Sequence, residues 1–174
     1  MPIPTWVVGE VLTASDVNTW LVDRAAYTAA AEHSVNTTLA NSASLALPVD
    51  ANALYFWLLY VNYEGGGTLG SGTGDMKFNF TFPSGTTGAF QFLGYNGAAT
   101  PNDEERLGWV LPLGAALIAG TEGPGNLRST TIIGTIDTAA TAGTLQFQFA
   151  RNSSTSGIDT IVHIGSAMLL TRIG

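Results

Sequence analysis

The chain contains one long aromatic and aliphatic run, Ala53-Leu-Tyr-Phe-Trp-Leu-Leu-Tyr-Val-Asn-Tyr63. The run is shorter than the roughly 20 apolar residues that a membrane-spanning helix needs, and its aromatic content is typical of a β-strand. Successive side chains of a strand point to opposite faces. One face of this strand therefore carries Leu54, Phe56, Leu58 and Tyr60, and the other carries Tyr55, Trp57, Leu59, Val61 and Tyr63.

Both faces of this strand are apolar, so both need a cover. An antiparallel sheet in a lone soluble sandwich usually leaves one face in water. Exposing four or five such side chains would cost roughly 6–15 kcal/mol, at about 1.5–3 kcal/mol each, which is comparable with the whole stability of a domain, about 5–15 kcal/mol. We therefore expect an obligate oligomer whose subunits meet on Tyr55, Trp57, Leu59 and Tyr63, or else on the opposite face of the strand.

The composition narrows the class of protein. Charged residues make up 11% of the 174-residue chain, less than half of the usual share of about 25%, so we expect much of the surface to be covered. The net charge of −7 with six Lys and Arg argues against binding to nucleic acid, which needs clustered cations. The absence of cysteine excludes disulfides and thiolate metal sites. We find no secretory signal at the start and no membrane-spanning run, so we expect no membrane insertion.

The first 31 residues predict an arm followed by a helix. Pro2 and Pro4 favour an extended arm over residues 1–12. Thr13-Ala-Ser-Asp16 has capping-box spacing, so a helix is predicted from about Ala14 to Ala31. This helix either packs on its own domain or inserts into a partner as an anchor. For the anchor, the candidate residues are Trp6, Val8, Val11, Leu12, Val17, Trp20 and Leu21.

Short strands are predicted from about residue 34 onward. We place them at Val35–Leu39, Ser44–Val49, Ala53–Tyr63, Met76–Phe82, Ala89–Tyr95, Leu107–Leu111, Ala115–Ala119, Thr130–Asp137, Thr144–Ala150 and Thr160–Arg172. About eight to ten strands with turn signals every 8–12 residues predict an antiparallel β-sandwich, and a jelly roll fits that number. The predicted fold is therefore mainly β, with arm and helix at 1–33 and a jelly-roll-like sandwich at 34–174.

No pattern in the sequence indicates catalysis. Gly65-Gly-Gly-Thr-Leu-Gly70 has the spacing of a phosphate-binding loop, but a strand rather than a helix follows it, so a hairpin loop is expected. Asp103-Glu-Glu105 could supply carboxylates to calcium, yet it lacks the spacing of a calcium loop. His33 and His163 are far apart in the sequence, and His163 is expected to be a structural residue of a strand. We therefore expect no enzyme, no cofactor and no metal site.

The N-terminal segment Thr5-Trp-Val-Val-Gly-Glu-Val-Leu-Thr-Ala-Ser-Asp-Val-Asn18 resembles one found in many tailed-bacteriophage structural proteins, among them minor tail, head-fibre and capsid-decoration proteins. The segments Leu45–Tyr55 and Leu169–Ile173 are similar, more loosely, to the sandwich part of such proteins. The resemblance implies that the N-terminal segment attaches to the particle and that a trimeric, tumour-necrosis-factor-like jelly roll projects outward. Heptads are not sustained after Trp20, which favours a short knob over a long fibre shaft.

Three functional hypotheses follow. The first is a non-enzymatic virion protein: a homotrimeric knob bound to the major capsid protein or a tail protein of the same virion. The alternative is a minor tail or tail-fibre protein whose sandwich binds a host-surface receptor or glycan, with Tyr95 beside Asn96 and Gly97 as a stacking candidate. A third, an envelope polysaccharide hydrolase, needs a pair of carboxylates about 5–10 Å apart in a cleft.

Overall fold

The computed structural model describes residues 24–66, 74–94, 110–153 and 159–174, which form twelve strands and no helix. In chain order the strands are β1 (Arg24–Tyr27), β2 (Glu32–Ser34), β3 (Ala40–Val49), β4 (Ala53–Glu64), β5 (Met76–Thr81), β6 (Thr87–Leu93), β7 (Val110–Pro112), β8 (Leu117–Ala119), β9 (Arg128–Thr138), β10 (Gly143–Arg151), β11 (Thr160–Val162) and β12 (Ala167–Arg172). Within these ranges there is thus no helix that could cross a membrane.

The strands form two antiparallel sheets. The larger sheet has the order β1-β12-β4-β9-β6-β7, and β11 joins β2 to the end of β4. The smaller sheet has the order β3-β10-β5-β8. The predicted central strand, β4, pairs along its length with β9 on one side and with β12 on the other. The prediction of a mainly β protein is confirmed.

The core lies between the two sheets and is rich in aromatic residues. Trp57 of the larger sheet meets Phe80 of the smaller one edge to face, with ring centroids 4.8 Å apart. Phe80 also contacts Phe90 across the same gap at 5.6 Å, and Phe78 contacts Phe92 at 5.4 Å. Aromatic pairs in such geometry contribute about 0.5–1.5 kcal/mol each beyond the burial of their area. The two sheets therefore pack face to face as a β-sandwich.

A glycine makes room for the largest side chain of this core. Gly134 of β9 lies opposite Trp57 of β4 in the strand register. A Cβ atom added at Gly134 would lie 2.7 Å from Cε2 and Nε1 of the indole and 2.8 Å from the carbonyl oxygen of Ala89. In the interior of a strand, glycine often marks such a close approach.

The helix predicted to end at Ala31 is wrong over its described part. Residues Arg24–Tyr27 are a strand, paired with β12. Local sequence favoured a helix because Ala25 and Ala26 are strong helix formers, but the long-range contacts favour a strand. The backbone of β1 pairs with β12, and Nη2 of Arg24 lies 3.1 Å from both carboxylate oxygens of Asp50. The first half of that helix lies outside the described residues.

The two sheets include residues that precede the predicted start of the sandwich. Besides β1, strand β2 pairs with β11, and the predicted boundary between residues 33 and 34 falls inside β2. Residues 35–39, predicted as a strand, contain a bend and no strand. The division of the chain into an anchoring part and a sandwich stays a prediction, but any such division has to lie before Arg24.

Candidate interaction surface

The four residues proposed for the contact between subunits lie in the core of a single chain. Tyr55, Trp57, Leu59 and Tyr63 each have 0% of their surface exposed. The hydroxyl group of Tyr63 donates a hydrogen bond to the carbonyl oxygen of Gly120 at 3.0 Å. Because these side chains fill the gap between the two sheets, they are not available to another subunit, and that choice of face is corrected. The opposite face, which the sequence left open as the alternative, is the one that reaches the surface.

The opposite side of β4 is apolar and open to solvent. Leu54, Phe56 and Tyr60 are 37%, 39% and 39% exposed, and Leu58 between them is half-buried. An exposed aliphatic residue alone is ordinary on a protein surface, whereas a contiguous apolar patch marks an interaction site. The neighbours of these side chains across the sheet therefore decide what the surface can do.

The strand register extends the apolar side of β4 across five strands. Residues opposite each other in antiparallel strands share a face, so rows of side chains run across the sheet. We call the following three rows the outer face: Ala25, Leu169, Leu58, Ile133 and Gln91; Thr171, Phe56, Thr135 and Ala89; Tyr27, Ala167, Tyr60, Thr131 and Leu93. None of these side chains is charged. Asp137 lies on the same side of the sheet, beside Leu54 in the next row.

The outer face has a depression of about 230 Å³ over β4, β9 and β6. Ala89 and Thr135, which lie opposite each other in one row, contribute short side chains to its lining. Gln91 and Thr135 are its polar lining residues. The full lining consists of Phe56, Ala89, Phe90, Gln91, Ile133, Gly134 and Thr135.

A protruding tyrosine lies at the edge of the same face. Tyr27 is 70% exposed, the most exposed of the large apolar side chains in the described residues. It belongs to β1, the edge strand of the larger sheet, and pairs with Ala167, so it points to the side that carries Tyr60. The outer face therefore carries a projecting side chain, Tyr27, on its edge strand β1, and a depression over β4, β9 and β6.

A polar cluster fixes β1 and so fixes Tyr27. Nη1 of Arg24 donates to the carbonyl oxygen of Pro48 at 2.7 Å, and Nη2 donates to both oxygens of Asp50 at 3.1 Å. The hydroxyl of Tyr55 donates to Oδ2 of Asp50 at 3.0 Å. These hydrogen bonds, that of Arg24 first, lower the pKa of the Asp50 carboxyl below its ordinary value. The cluster ties the edge strand to the turn between β3 and β4.

The remaining titratable groups are structural in their contacts. Nδ1 of His33 lies 3.2 Å from Asp159, and Nε2 of His163 lies 3.2 Å from Glu64, so the two histidines flank β11. Asp75 is 2% exposed, and burial raises the pKa of its carboxyl although Thr121 donates to Oδ1 from its amide at 2.9 Å. Among the described residues, no group of three or more His, Asp or Glu is arranged to hold a metal ion.

Several sequence candidates lie outside the described residues and stay predictions. These are the anchor residues Trp6, Val8, Val11, Leu12, Val17, Trp20 and Leu21, the stacking candidate Tyr95, the acidic run Asp103–Glu105, and the second half of the glycine-rich loop.

Sequence reasoning missed the contributions of Tyr27, Ile133 and Leu169 to the surface. The alternation of Thr131, Ile133 and Thr135 was a usable signal for β9, but the register that places it beside β4 is not written in a local pattern.

Comparison with known proteins identifies no family for the chain. No family model matches the chain, and no curated protein matches it. Among solved structures, it is similar to a chain in the structure of the infectious bursal disease virus Gx strain, at 11% sequence identity and a TM-score of 0.24. The match covers 98% of this chain and 43% of that one, so the present chain spans less than half the length of that relative.

Proposed function

We propose that the protein is a non-enzymatic structural protein of a tailed-phage virion, a trimeric knob that attaches to the particle surface through its N-terminal arm. The observation that carries this proposal is the outer face, an uncharged apolar surface that one copy of the described sandwich leaves open. The phage assignment and the number of three copies come from the resemblance of residues 5–18. The trimer would decorate the capsid or form a head fibre.

The strand order supports a jelly roll as the finer description of the fold. The eight consecutive strands β3 to β10 divide between the sheets as β3-β10-β5-β8 and β4-β9-β6-β7. Each sheet thus combines strands from both ends of this series with strands from its middle, as two Greek keys folded together do. Jelly rolls of eight strands occur in viral capsid and lectin domains. Because one fold serves many functions, this order is consistent with the proposal and does not carry it alone.

The size of the outer face supports self-association. Five strands spaced about 4.8 Å apart span about 20 Å, and the three rows, each taking two residues at about 3.4 Å per residue, also span about 20 Å, so the outer face measures roughly 400 Å². The largest apolar patch on a typical monomer is about 300–600 Å² and is often functional. Two such surfaces together approach the 1,000 Å² or so expected of a specific interface before the rim is counted.

The charge of the protein favours this face as the place where copies meet. The chain has a net charge of −7, so two copies repel each other through most of their surfaces. The three rows of the outer face carry no charge, so contact there buries no carboxylate. Burying an unpaired charge would cost several kcal/mol, whereas burying the outer face, whose apolar part is less than the full area of about 400 Å², stabilises the contact by at most roughly 10 kcal/mol per copy before the cost of association.

The experiment for attachment uses the anchor candidates. We expect the double variant Trp6→Ala, Trp20→Ala to keep the assembly state of the unchanged protein but to fail to bind particles prepared without it. A matched control is Leu127→Ala, since Leu127 is 57% exposed and is not part of the three rows of the outer face. Co-sedimentation with particles measures binding. Undiminished binding of the double variant would contradict the proposed anchor. A truncation for the same purpose should begin at Arg24, since removing residues up to 33 would delete β1 and most of β2.

A further inference from the structure

We propose that Tyr27 of one copy enters the depression of the next, so that the copies contact each other head to tail around a closed ring. This inference rests on the self-association proposed above and specifies its contact. In a closed assembly of three copies, each copy contacts its two neighbours through two different patches. Contacts between identical patches would join the copies only in pairs. The outer face has two such patches, the projecting Tyr27 and the depression.

The two patches fit each other in size. The depression has a volume of about 230 Å³. An enclosed apolar cavity of about 150 Å³ binds benzene; the depression is open to solvent, so it can cover one face of a tyrosine ring. Tyr27 is 70% exposed in a single chain, so its ring is free to be covered.

The two patches also fit in chemistry. Phe56, Ile133 and Ala89 line the depression with apolar groups against which an aromatic ring packs. Gln91 is one of the lining residues, and a glutamine amide can both donate and accept a hydrogen bond, as a phenolic hydroxyl requires. Aromatic residues that fill such pockets are the usual energetic centres of an interface.

Within one chain the two patches cannot meet. Tyr27 is on β1, and the strand order places β12, β4 and β9 between β1 and β6. At about 4.8 Å per strand, and with an offset of several residues along β4 between Tyr60 and Phe56, the separation is on the order of 20 Å. Tyr27 is held on the edge strand by the pairing of β1 with β12 and by the backbone hydrogen bond that Thr28 donates to Ser166. In the proposed contact, the tyrosine in the depression therefore belongs to a second copy.

The experiment removes each patch separately. Tyr27→Ser takes away the projection, and Thr135→Phe fills the depression from its lining. Each variant has a control that changes a similar residue outside the contact: Leu127→Ser for the first and Thr87→Phe, in the neighbouring row of the same face, for the second. Sedimentation velocity gives the assembly state, and circular dichroism shows that each variant is folded. We expect both patch variants to dissociate at least tenfold more easily than their controls.

Mixing the two patch variants gives the sharper result. Tyr27→Ser keeps an open depression and Thr135→Phe keeps a projecting tyrosine, so an equimolar mixture should form a dimer through one intact contact, although neither variant alone assembles. Tyr27→Phe keeps the ring and should assemble within about threefold of the unchanged protein.

The outcomes separate the two proposals. Folded patch variants that assemble as their controls do, or a mixture that stays monomeric, would overturn the head-to-tail contact while leaving self-association intact. If the unchanged protein is itself monomeric, both proposals fail.

Discussion

Two adjacent leucines of β4 offer a direct comparison of the two faces. Leu59 is 0% exposed and points into the core, whereas Leu58 is half-buried in the middle row of the outer face. A buried Leu→Ala change typically costs about 2–5 kcal/mol because it removes contacts and leaves a cavity. We therefore expect Leu59→Ala to lower the midpoint of thermal unfolding by roughly 5–15 °C, at about 2–4 °C per kcal/mol for a chain of this size.

Leu58→Ala should act on assembly instead. In the single chain Leu58 is already partly in water, so we expect its truncation to cost the fold about 1 kcal/mol or less. In the assembly its remaining surface becomes buried, and losing about 1–1.5 kcal/mol at a contact weakens association roughly tenfold. The same substitution in neighbouring positions thus changes two different quantities.

The assay measures both quantities for both variants. Denaturant unfolding at a protein concentration low enough to dissociate the assembly reports the fold alone, because association otherwise raises the apparent stability. Sedimentation across a concentration series reports the association. If Leu58→Ala unfolds as easily as Leu59→Ala, or if it leaves association unchanged, the assignment of the two faces to core and contact is refuted.

The remaining predictions concern the fold that supports the face. Gly134→Ala should destabilise the protein by about 1–3 kcal/mol, measured by urea unfolding, because a Cβ there meets the Trp57 indole at 2.7 Å; an unchanged midpoint would contradict this packing. Burial raises the pKa of the Asp75 carboxyl in the folded protein above its ordinary value of 3.8, so the folded protein binds a proton there more tightly than the unfolded chain does. The protonated carboxyl therefore stabilises the fold below pH 3.8, and this contribution is lost as the pH rises through the folded-state pKa. Asp75→Asn should remove that part of the pH dependence of unfolding, and an unaltered profile would refute the assignment. Asp50→Asn should speed amide hydrogen exchange in β1 relative to β12, because the hydrogen bonds between Arg24 and the Asp50 carboxylate, which lower the pKa of that carboxyl, also fix β1. Equal exchange rates in the variant and the unchanged protein would contradict this role of Asp50.

Much of the sandwich followed from local alternation. The predicted strands at Ala53–Tyr63, Thr130–Asp137 and Thr144–Ala150 correspond to β4, β9 and β10 within one or two residues at each end. In all three strands, apart from the strand ends, the residues of one face are buried and those of the other are more exposed, so burial follows a period of two. A pattern with this period directly reports which residues share a face.

The predictions that failed depend on contacts between distant residues. Arg24–Tyr27 has the composition of a helix, and its strand is set by β12, more than a hundred positions later. The single strand predicted at Thr160–Arg172 is two strands, separated by a turn in which Gly165 adopts a φ of 87°. Neither the pairing nor the turn is visible in a window of neighbouring residues.

The choice of face on β4 could not be made from the strand itself. Both of its sides are apolar, so alternation defines two faces without saying which one is inside. Phe80 of the smaller sheet settles the question by packing against Trp57, with Phe78 and Phe147 packed beside Phe80. The sequence predicted that β4 has more apolar surface than contact with one other sheet covers. In the structure, the outer face is the part that stays uncovered.

The mass of the unchanged protein in solution tests the central claim most directly. A sedimentation equilibrium series at near-physiological salt should give a species of three times the chain mass of 18.1 kDa, dissociating only on dilution. A folded protein with a mass of 18.1 kDa at every concentration would show that the outer face needs no second copy, and it would contradict the account.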